Sequence, residues 1–548
     1  MTLKSTLIAF VALLSFSSCA VNTSAPSKAN PFNWQAANLY FVLPDRFLNG
    51  DPTNDKSFGR MDSTAPYRGF EGGDLRGMIQ KLEEGYFSDL GMNAIWLTPL
   101  VEQIHGSVDE GTGLTYAYHG YWAKDWTALD PNFGSKADLK EFVEKAHRRG
   151  IRIVLDAVIN HTGPVTPTDK VFPSTWVRTN PTCTHENYHS TTSCTLVENL
   201  PDLRTESELP VELPANLVDK WKKENRYEKE VAELDAFFKK TGYPRAPKYY
   251  VMKWLSDYIK EFGIDGYRVD TVKHTEEDVW KEFEKVAQSA FLEYKAANPR
   301  NVLDDQDFFL VGEVYGYGVS QDMDYNYSDR KVNYFENGFD ALINFDFKSD
   351  ANREYEPLFS YYDQKINGPL KGKTVMNYLT SHDDGSPFDK ERKRGYEAAN
   401  KLLLSPGIAQ IYYGDESGRS LLLEGAVGDA TLRGNMNWQD IKSNANTQKL
   451  LAHYQKLGKF RSAHPAIGAG KHQMLSESPY YFSRVLGNDK VIVGLSLSPG
   501  KKELNVSGVF AEGARVFDAY SGVSAKVKNG LVSFDSTEQI VLLELKNK

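Results

Sequence analysis

Short, mostly apolar runs recur along the chain, separated by stretches whose apolar residues fall at helical spacing. The runs occupy Asn38–Val42, Ala94–Leu97, 151–158, Gly266–Val269, 308–311, 342–345, 374–379 and Ile408–Tyr412. They are too short for helices and show little polar alternation, which is the pattern of strands buried on both faces. Between them, residues 136–149 place Leu139, Phe142, Val143 and Ala146 on one face. Ser135 and Asp138 have capping-box spacing there, and Gly150 stands where a helix stops. Eight such strands alternating with helices predict an α/β fold, a (β/α)8 barrel.

Two stretches break the alternation. Residues 162–245 form one long connection rich in Pro, Thr and charged side chains. Long excursions are usually functional loops or subdomains, and one leaving the third strand rises over the face where barrel sites lie. From residue 464 the pattern changes again. The segments 491–497, 513–517 and 540–545 alternate or run apolar between Gly, Asn and Ser, which predicts a C-terminal antiparallel β-sandwich. The expected division is therefore a barrel from 33–161 and 246–463, an insertion at 162–245, and a β domain at 464–548.

The first residues carry a different signal. Lys4 precedes an apolar run over 7–16, and Ser17, Ser18 and Cys19 follow. The run is too short to span a membrane and has a secretory layout. Small residues before Cys19 resemble a bacterial lipobox, so 1–19 reads as a signal with lipidation at Cys19 and 20–32 as a polar tether. That predicts an exported chain anchored to the periplasm-facing outer membrane; with an incidental Cys19 it is periplasmic or secreted. Membrane contact is expected through the anchor alone, and a monomer is expected.

Charge and composition narrow the partners. A net charge of −9 argues against nucleic acid, which attracts clustered Lys and Arg. Aromatic residues make up 12% of the chain, and sugar-binding clefts use ring faces against the apolar side of a pyranose. Only Cys183 and Cys194 remain after the leader, close together in a Thr- and His-rich stretch. In an exported chain such a pair favours a disulfide. A zinc site with His185 and His189 is the alternative, although the spacing matches no usual zinc pattern.

Four strand ends carry charged or imidazole side chains: Asp156 with Asn160 and His161; Arg268 with Asp270, Lys273 and His274; Glu313 with Tyr315; and His382 with Asp383. In a closed barrel these ends converge on one mouth, so three carboxylates distant in sequence can meet. Solvated charges at strand ends would explain one motif, but not four that pair acids with Arg and His.

These four segments resemble the four signature regions of the α-amylase family of retaining glycoside hydrolases. Residues 91–99, 407–416 and 200–204 are similar to further motifs of the family. The segments 102–106, 119–122 and 200–207 look particularly like its bacterial periplasmic members. The resemblance covers most of the chain from Tyr40 to Trp438 and implies endo-acting hydrolysis of α-1,4-glucosidic bonds in starch, glycogen or maltooligosaccharides. It implies Asp270 as nucleophile, Glu313 as acid and base, and Asp383 as a third acid that binds sugar hydroxyls. A retaining mechanism needs one ionised and one protonated carboxyl about 5–5.5 Å apart. Arg268 would orient the nucleophile, His161 and His382 would bond sugar hydroxyls, and Tyr121 would stack on the sugar being cleaved. Lys273 and His274 would line the leaving-group side. Where animal-type members carry a chloride-binding Asn, this chain has Ser381, so chloride activation is not expected.

The resemblance also implies calcium, held by oxygen ligands. Asn160 and Asp202 match an ion site between barrel and insertion. Asn49, Asp51, Asn54 and Asp55, with Gly72 and Asp74, resemble a second calcium loop, although Asn, Asp and Gly are also ordinary turn residues. Two other readings share the barrel: a glucanotransferase, neopullulanase or maltooligosaccharide-forming amylase, and a non-catalytic glycan-binding protein. The second would be marked by lost catalytic acids, and none is missing here.

Overall fold

The computed structural model describes residues 31–546; the expected signal with Cys19, and the tether before residue 31, lie outside the described residues. Eight parallel strands form the core: β1 (Asn38–Val42), β2 (Ala94–Leu97), β3 (Arg152–Ala157), β4 (Gly266–Val269), β5 (Phe309–Gly312), β6 (Ala341–Asn344), β7 (Thr374–Asn377) and β8 (Ile408–Tyr412). They close in the order β1-β8-β7-β6-β5-β4-β3-β2. Leu39 of β1 pairs with Ala94 on one side and Gln410 on the other, which completes the ring. Every residue in all eight strands is buried. Inward side chains fill the barrel and outward ones are covered by helices, which is why the runs lack a polar alternation.

Seven helices follow strands as expected: α1 (Leu75–Glu83), α2 (Lys136–His147), α3 (Pro247–Phe262), α4 (Glu277–Ala297), α5 (Tyr355–Ile366), α6 (Gly395–Leu403) and α7 (Ala445–Ala463). At the start of α2 the Ser135 hydroxyl accepts from the Asp138 amide while the Asp138 carboxylate accepts from the Ser135 amide, a complete capping box. The alternation fails after β5. There the chain makes a 3-10 turn, Val319–Gln321, and pairs Tyr325–Asn326 with Lys331–Val332 as a short hairpin. The segment is rich in Gly, Asn and Asp and has no helical period.

The excursion after β3 packs Trp176, Leu203, Trp221 and Phe238 into the same core as the barrel. It carries helices at Ala215–Lys223 and Tyr227–Thr241, and a small ladder in which Val177–Arg178 pairs with Asp202–Leu203. Cys183 and Cys194 form a disulfide within it. Both sulfurs are thereby consumed, and the zinc reading with His185 and His189 does not hold. No helix among the described residues is long and apolar enough to cross a membrane.

Beyond α7 lie β9 (Lys471–Ser476), β10 (Tyr481–Leu486), β11 (Asp489–Gly494), β12 (Gly500–Asn505), β13 (Arg515–Asp518), β14 (Ser524–Lys526), β15 (Leu531–Ser536) and β16 (Val541–Leu545). Six of them form one sheet in the order β9-β10-β11-β16-β13-β14, and β12 pairs with β15. Ile492, Leu504, Val516, Val532 and Val541 from both sheets share a separate core. At the junction with α7, His464 bonds Asp489 at 2.7 Å and Glu544 at 2.5 Å. Burial alone would lower its pKa, but the two carboxylates outweigh that and hold it at about 9.

A histidine raised in the folded state stabilises fully below its unfolded pKa of 6.5 and loses that contribution as pH rises through about 9. The shift corresponds to about 3 kcal/mol. His464→Gln is therefore expected to lower the melting temperature near pH 6, with the gap to the parent closing by about pH 10. Melting curves at both pH values check this; a gap independent of pH would mean that His464 contributes packing alone.

Candidate active site

The ends of β3, β4, β5 and β7 bring the expected residues to one mouth. Arg268 is the second-last residue of β4, and its side chain is 1% exposed. Its Nη1 donates to Asp270 Oδ1 at 2.6 Å and to both oxygens of Asp156 at 3.0 and 3.1 Å. Its Nη2 lies 3.2 Å from Glu313 Oε2. One guanidinium thus bridges the carboxylates that follow β4 and β5, which sequence places 43 positions apart (313 − 270). Alternation along β4 explains part of this, because residues 268 and 270 share a face of the strand.

Burial raises the pKa of Glu313. Arg268 and the Thr271 amide oppose the rise, and the charges of Asp270 and Asp383 add to it. Asp383 stands within electrostatic reach of Glu313 and keeps a side-chain exposure of 32%. It accepts a bond from the Ser381 hydroxyl at 3.2 Å. Burial lowers the pKa values of both His161 and His382, so each is a neutral imidazole. His382 stacks on Tyr121 with ring centroids 5.2 Å apart. The Tyr121 hydroxyl donates to Asp156 Oδ2 at 2.9 Å. His161 Nε2 lies 3.1 Å from the Tyr121 carbonyl, which ties it to the segment that carries Tyr121.

Lys273 and His274 line the side shared with the insertion. The Lys273 ammonium donates to the Tyr315 carbonyl at 3.0 Å and to the Tyr325 hydroxyl at 3.3 Å. His274 Nδ1 lies 3.0 Å from the carbonyl of Thr191, which sits between the two cysteines. The same disulfide-closed loop reaches the hairpin after β5, where the Tyr188 amide donates to Asp329 at 2.9 Å. Tyr315, 48% exposed, presents an aromatic ring beside Glu313.

Among the described residues, no group of three or more His, Cys, Asp or Glu side chains is arranged to hold a metal. Two oxygen-rich sets remain. Asn160 Nδ2 donates to Asp202 Oδ1 at 2.9 Å and to the His274 carbonyl at 3.0 Å. Asp202 Oδ2 is buried without a hydrogen bond, though Arg178 Nε lies 2.8 Å away. Burial raises Asp202 to about 9, the mark of a carboxylate short of positive charge. In the other set, Asn49 Nδ2 bonds both oxygens of Asp55 at 3.0 Å, and Gly72 packs against that pair. Asn54 Oδ1 is buried with no partner. Asp74 caps α1 through the Gly77 amide and accepts from the Asp51 amide, while Asp51 accepts from Thr53. Both sets suit a hard cation that takes oxygen ligands.

Sequence reasoning missed one participant and gave another no role of its own. Asp156 is legible at the end of β3 without a part to play, yet Trp96, Tyr121 and Arg268 all bond it. Arg433 donates to the His382 carbonyl at 2.9 Å and pairs with Asp429, which Arg68 also holds. No periodic pattern marks that segment.

The family model for the alpha-amylase catalytic domain matches residues 41–424. The chain is 38% identical to the periplasmic alpha-amylase of Escherichia coli K12, over 84% of this chain and 72% of that one. It is 27% identical to an alpha-amylase of Niallia circulans, over 89% and 86% respectively. Among solved structures, an Anoxybacillus alpha-amylase superposes with a TM-score of 0.66 at 24% identity, covering 94% of this chain and all of that one.

Removing the guanidinium leaves three carboxylates facing one another in a buried site. Arg268→Met is expected to lower stability by about 3–5 kcal/mol in urea denaturation. A loss below about 1 kcal/mol would mean that the acids are satisfied without it.

Proposed function

The chain belongs to the alpha-amylase family of glycoside hydrolases, and we propose that it cuts internal α-1,4-glucosidic bonds of starch-like glucans with retention. Asp270, oriented by Arg268, attacks the anomeric carbon while the protonated Glu313 gives its proton to the leaving oxygen. Glu313 then takes a proton from water, which opens the glycosyl-Asp270 ester. Asp383 binds hydroxyls of the distorted sugar and keeps Glu313 protonated by like charge. The observation that carries this reading is the single guanidinium shared by Asp270 and Glu313, with Glu313 raised by burial and neighbouring charge. Tyr121 and His382 form the floor of the sugar site, and Lys273, His274 and Tyr315 the leaving-group side.

Calcium is proposed at the two oxygen-rich sets. Asp202, Asn160 and the His274 carbonyl would hold one ion and tie the insertion to β4; Asn49, Asp51, Asn54, Asp55, Gly72 and Asp74 would hold the other. Asn54 Oδ1, buried without a partner, supports the second site, and Asp202, raised by burial despite its ion pair with Arg178, supports the first. We further propose the division at 162–245 and 464–548, export, and lipidation at Cys19. The periplasmic location in the name of the Escherichia coli relative supports export.

Glu313→Gln is expected to lower kcat on soluble starch by at least about a thousandfold, near 4 kcal/mol of barrier, while still binding maltooligosaccharide. Near-parental activity would remove Glu313 from the acid's part. Chelation of calcium is expected to lower the melting temperature by several degrees, since an ion at about a hundred times its Kd adds about 2.7 kcal/mol. Asp202→Ala should blunt that response; a parent indifferent to chelator would remove calcium from the proposal.

A further inference from the structure

The residue after the nucleophile has an unusual backbone. Thr271 lies at φ 49°, ψ 37°, the left-handed region, which a β-branched side chain adopts only under strain. Its hydroxyl is buried and bonds nothing, so the side chain does not account for the conformation. What the conformation achieves lies on the amide side. The Thr271 N–H donates to Glu313 Oε2 at 2.9 Å, and the next amide, Val272, donates to the Glu313 carbonyl at 3.0 Å. Two successive amides are thus aimed at one residue of the neighbouring strand, a small backbone nest.

We infer that Thr271 is a positioning residue for Glu313: its left-handed turn fixes the acid through Oε2 and leaves Oε1 to carry the transferred proton. Oε2 accepts from the Thr271 amide at 2.9 Å and faces the Arg268 Nη2 cation across 3.2 Å, so that oxygen is the acceptor in either protonation state. A proton on Oε2 would collide with them. The hydrogen therefore resides on Oε1, to which no group among the described residues donates. The inference rests on Glu313 being the proton donor and adds which oxygen acts and what aims it.

The test removes the amide hydrogen alone. Nonsense suppression places 2-hydroxy-3-methylbutanoic acid at position 271, which turns the amide into an ester, and Thr271→Val is its matched amide control. Thr271→Gly, which takes a left-handed turn without strain, should keep parental rates. The ester is expected to lose about tenfold or more in kcat relative to Thr271→Val, with KM changed less than about twofold. Because the amide bond lowers the Glu313 pKa, its loss should also move the alkaline limb of the kcat profile to higher pH. Equal kcat and pH profile for ester and Val would overturn the inference, as would a Gly variant as slow as the ester. If the ester fails to fold, the Gly and Val rates decide: parental values support the backbone role, and a tenfold loss in either refutes it. Should Glu313→Gln remain inactive while the ester is fast, only this inference falls; an active Glu313→Gln removes the acid assignment itself.

Discussion

A guanidinium shut inside the barrel mouth with three carboxylates is the constraint on which the rest of the site depends. Arg268 supplies one positive charge to Asp156, Asp270 and Glu313 in a place with almost no water. Taking ions out of water costs several kcal/mol each, and an imbalance of charge adds to it. The cluster reduces that cost by keeping a proton, and its surroundings decide where. Asp156 receives the Trp96 ring N–H, the Tyr121 hydroxyl and Arg268 on both oxygens. Asp270 has the shortest bond to the guanidinium. Asp270 and Glu313 each accept on one oxygen, and burial with the charges of Asp270 and Asp383 raises Glu313, so the proton sits there. A protonated acid beside a second carboxylate is the arrangement a retaining mechanism requires.

The geometry is rigid because neighbouring elements anchor both partners. Glu313 is fixed by two amides of the segment after β4, and that segment continues into Lys273 and His274. His274 is bonded to the disulfide loop of the insertion, and Lys273 to the backbone after Glu313. Insertion, β4 and β5 therefore form one wall, and the disulfide shortens the free length of the loop that completes it. Arg433, from the loop after β8, braces the His382 carbonyl and is itself held by Asp429, which Arg68 of the segment after β1 also pairs. The disulfide-closed part of the excursion thus touches both the segment after β4 and the hairpin after β5.

Much of this was legible because a parallel barrel writes itself into sequence as unalternating apolar runs. The eight runs fell within a residue or two of the strands, and acids at their ends had only one place to meet. Legibility faded where burial is one-sided or irregular. Leu531–Ser536 alternates and exposes half its side chains, so β15 carries a weak apolar signal. The segment after β5 has no period because it is not a helix. Asp156 was visible as an acid at a strand end, but its part in holding Arg268 and Tyr121 depends on contacts across the barrel. Arg433 acts through a carbonyl, and backbone partners leave no trace in side-chain patterns.

The conformation of Thr271 shows the same limit from another direction. Nothing in a threonine announces a left-handed backbone; composition points the other way, since Gly or Asn are the usual occupants. Strain at that point is tolerated because both flanks are fixed: Asp270 by its amide bond to the Ala157 carbonyl and by Arg268, Val272 by the Glu313 carbonyl. Local preference yields to a turn that two barrel strands over-determine. A site assembled from strand ends is therefore read from sequence as a set of side chains, while its aim is set by amides that every residue type possesses. The chemistry was visible in residue names, and the orientation only in the closed ring.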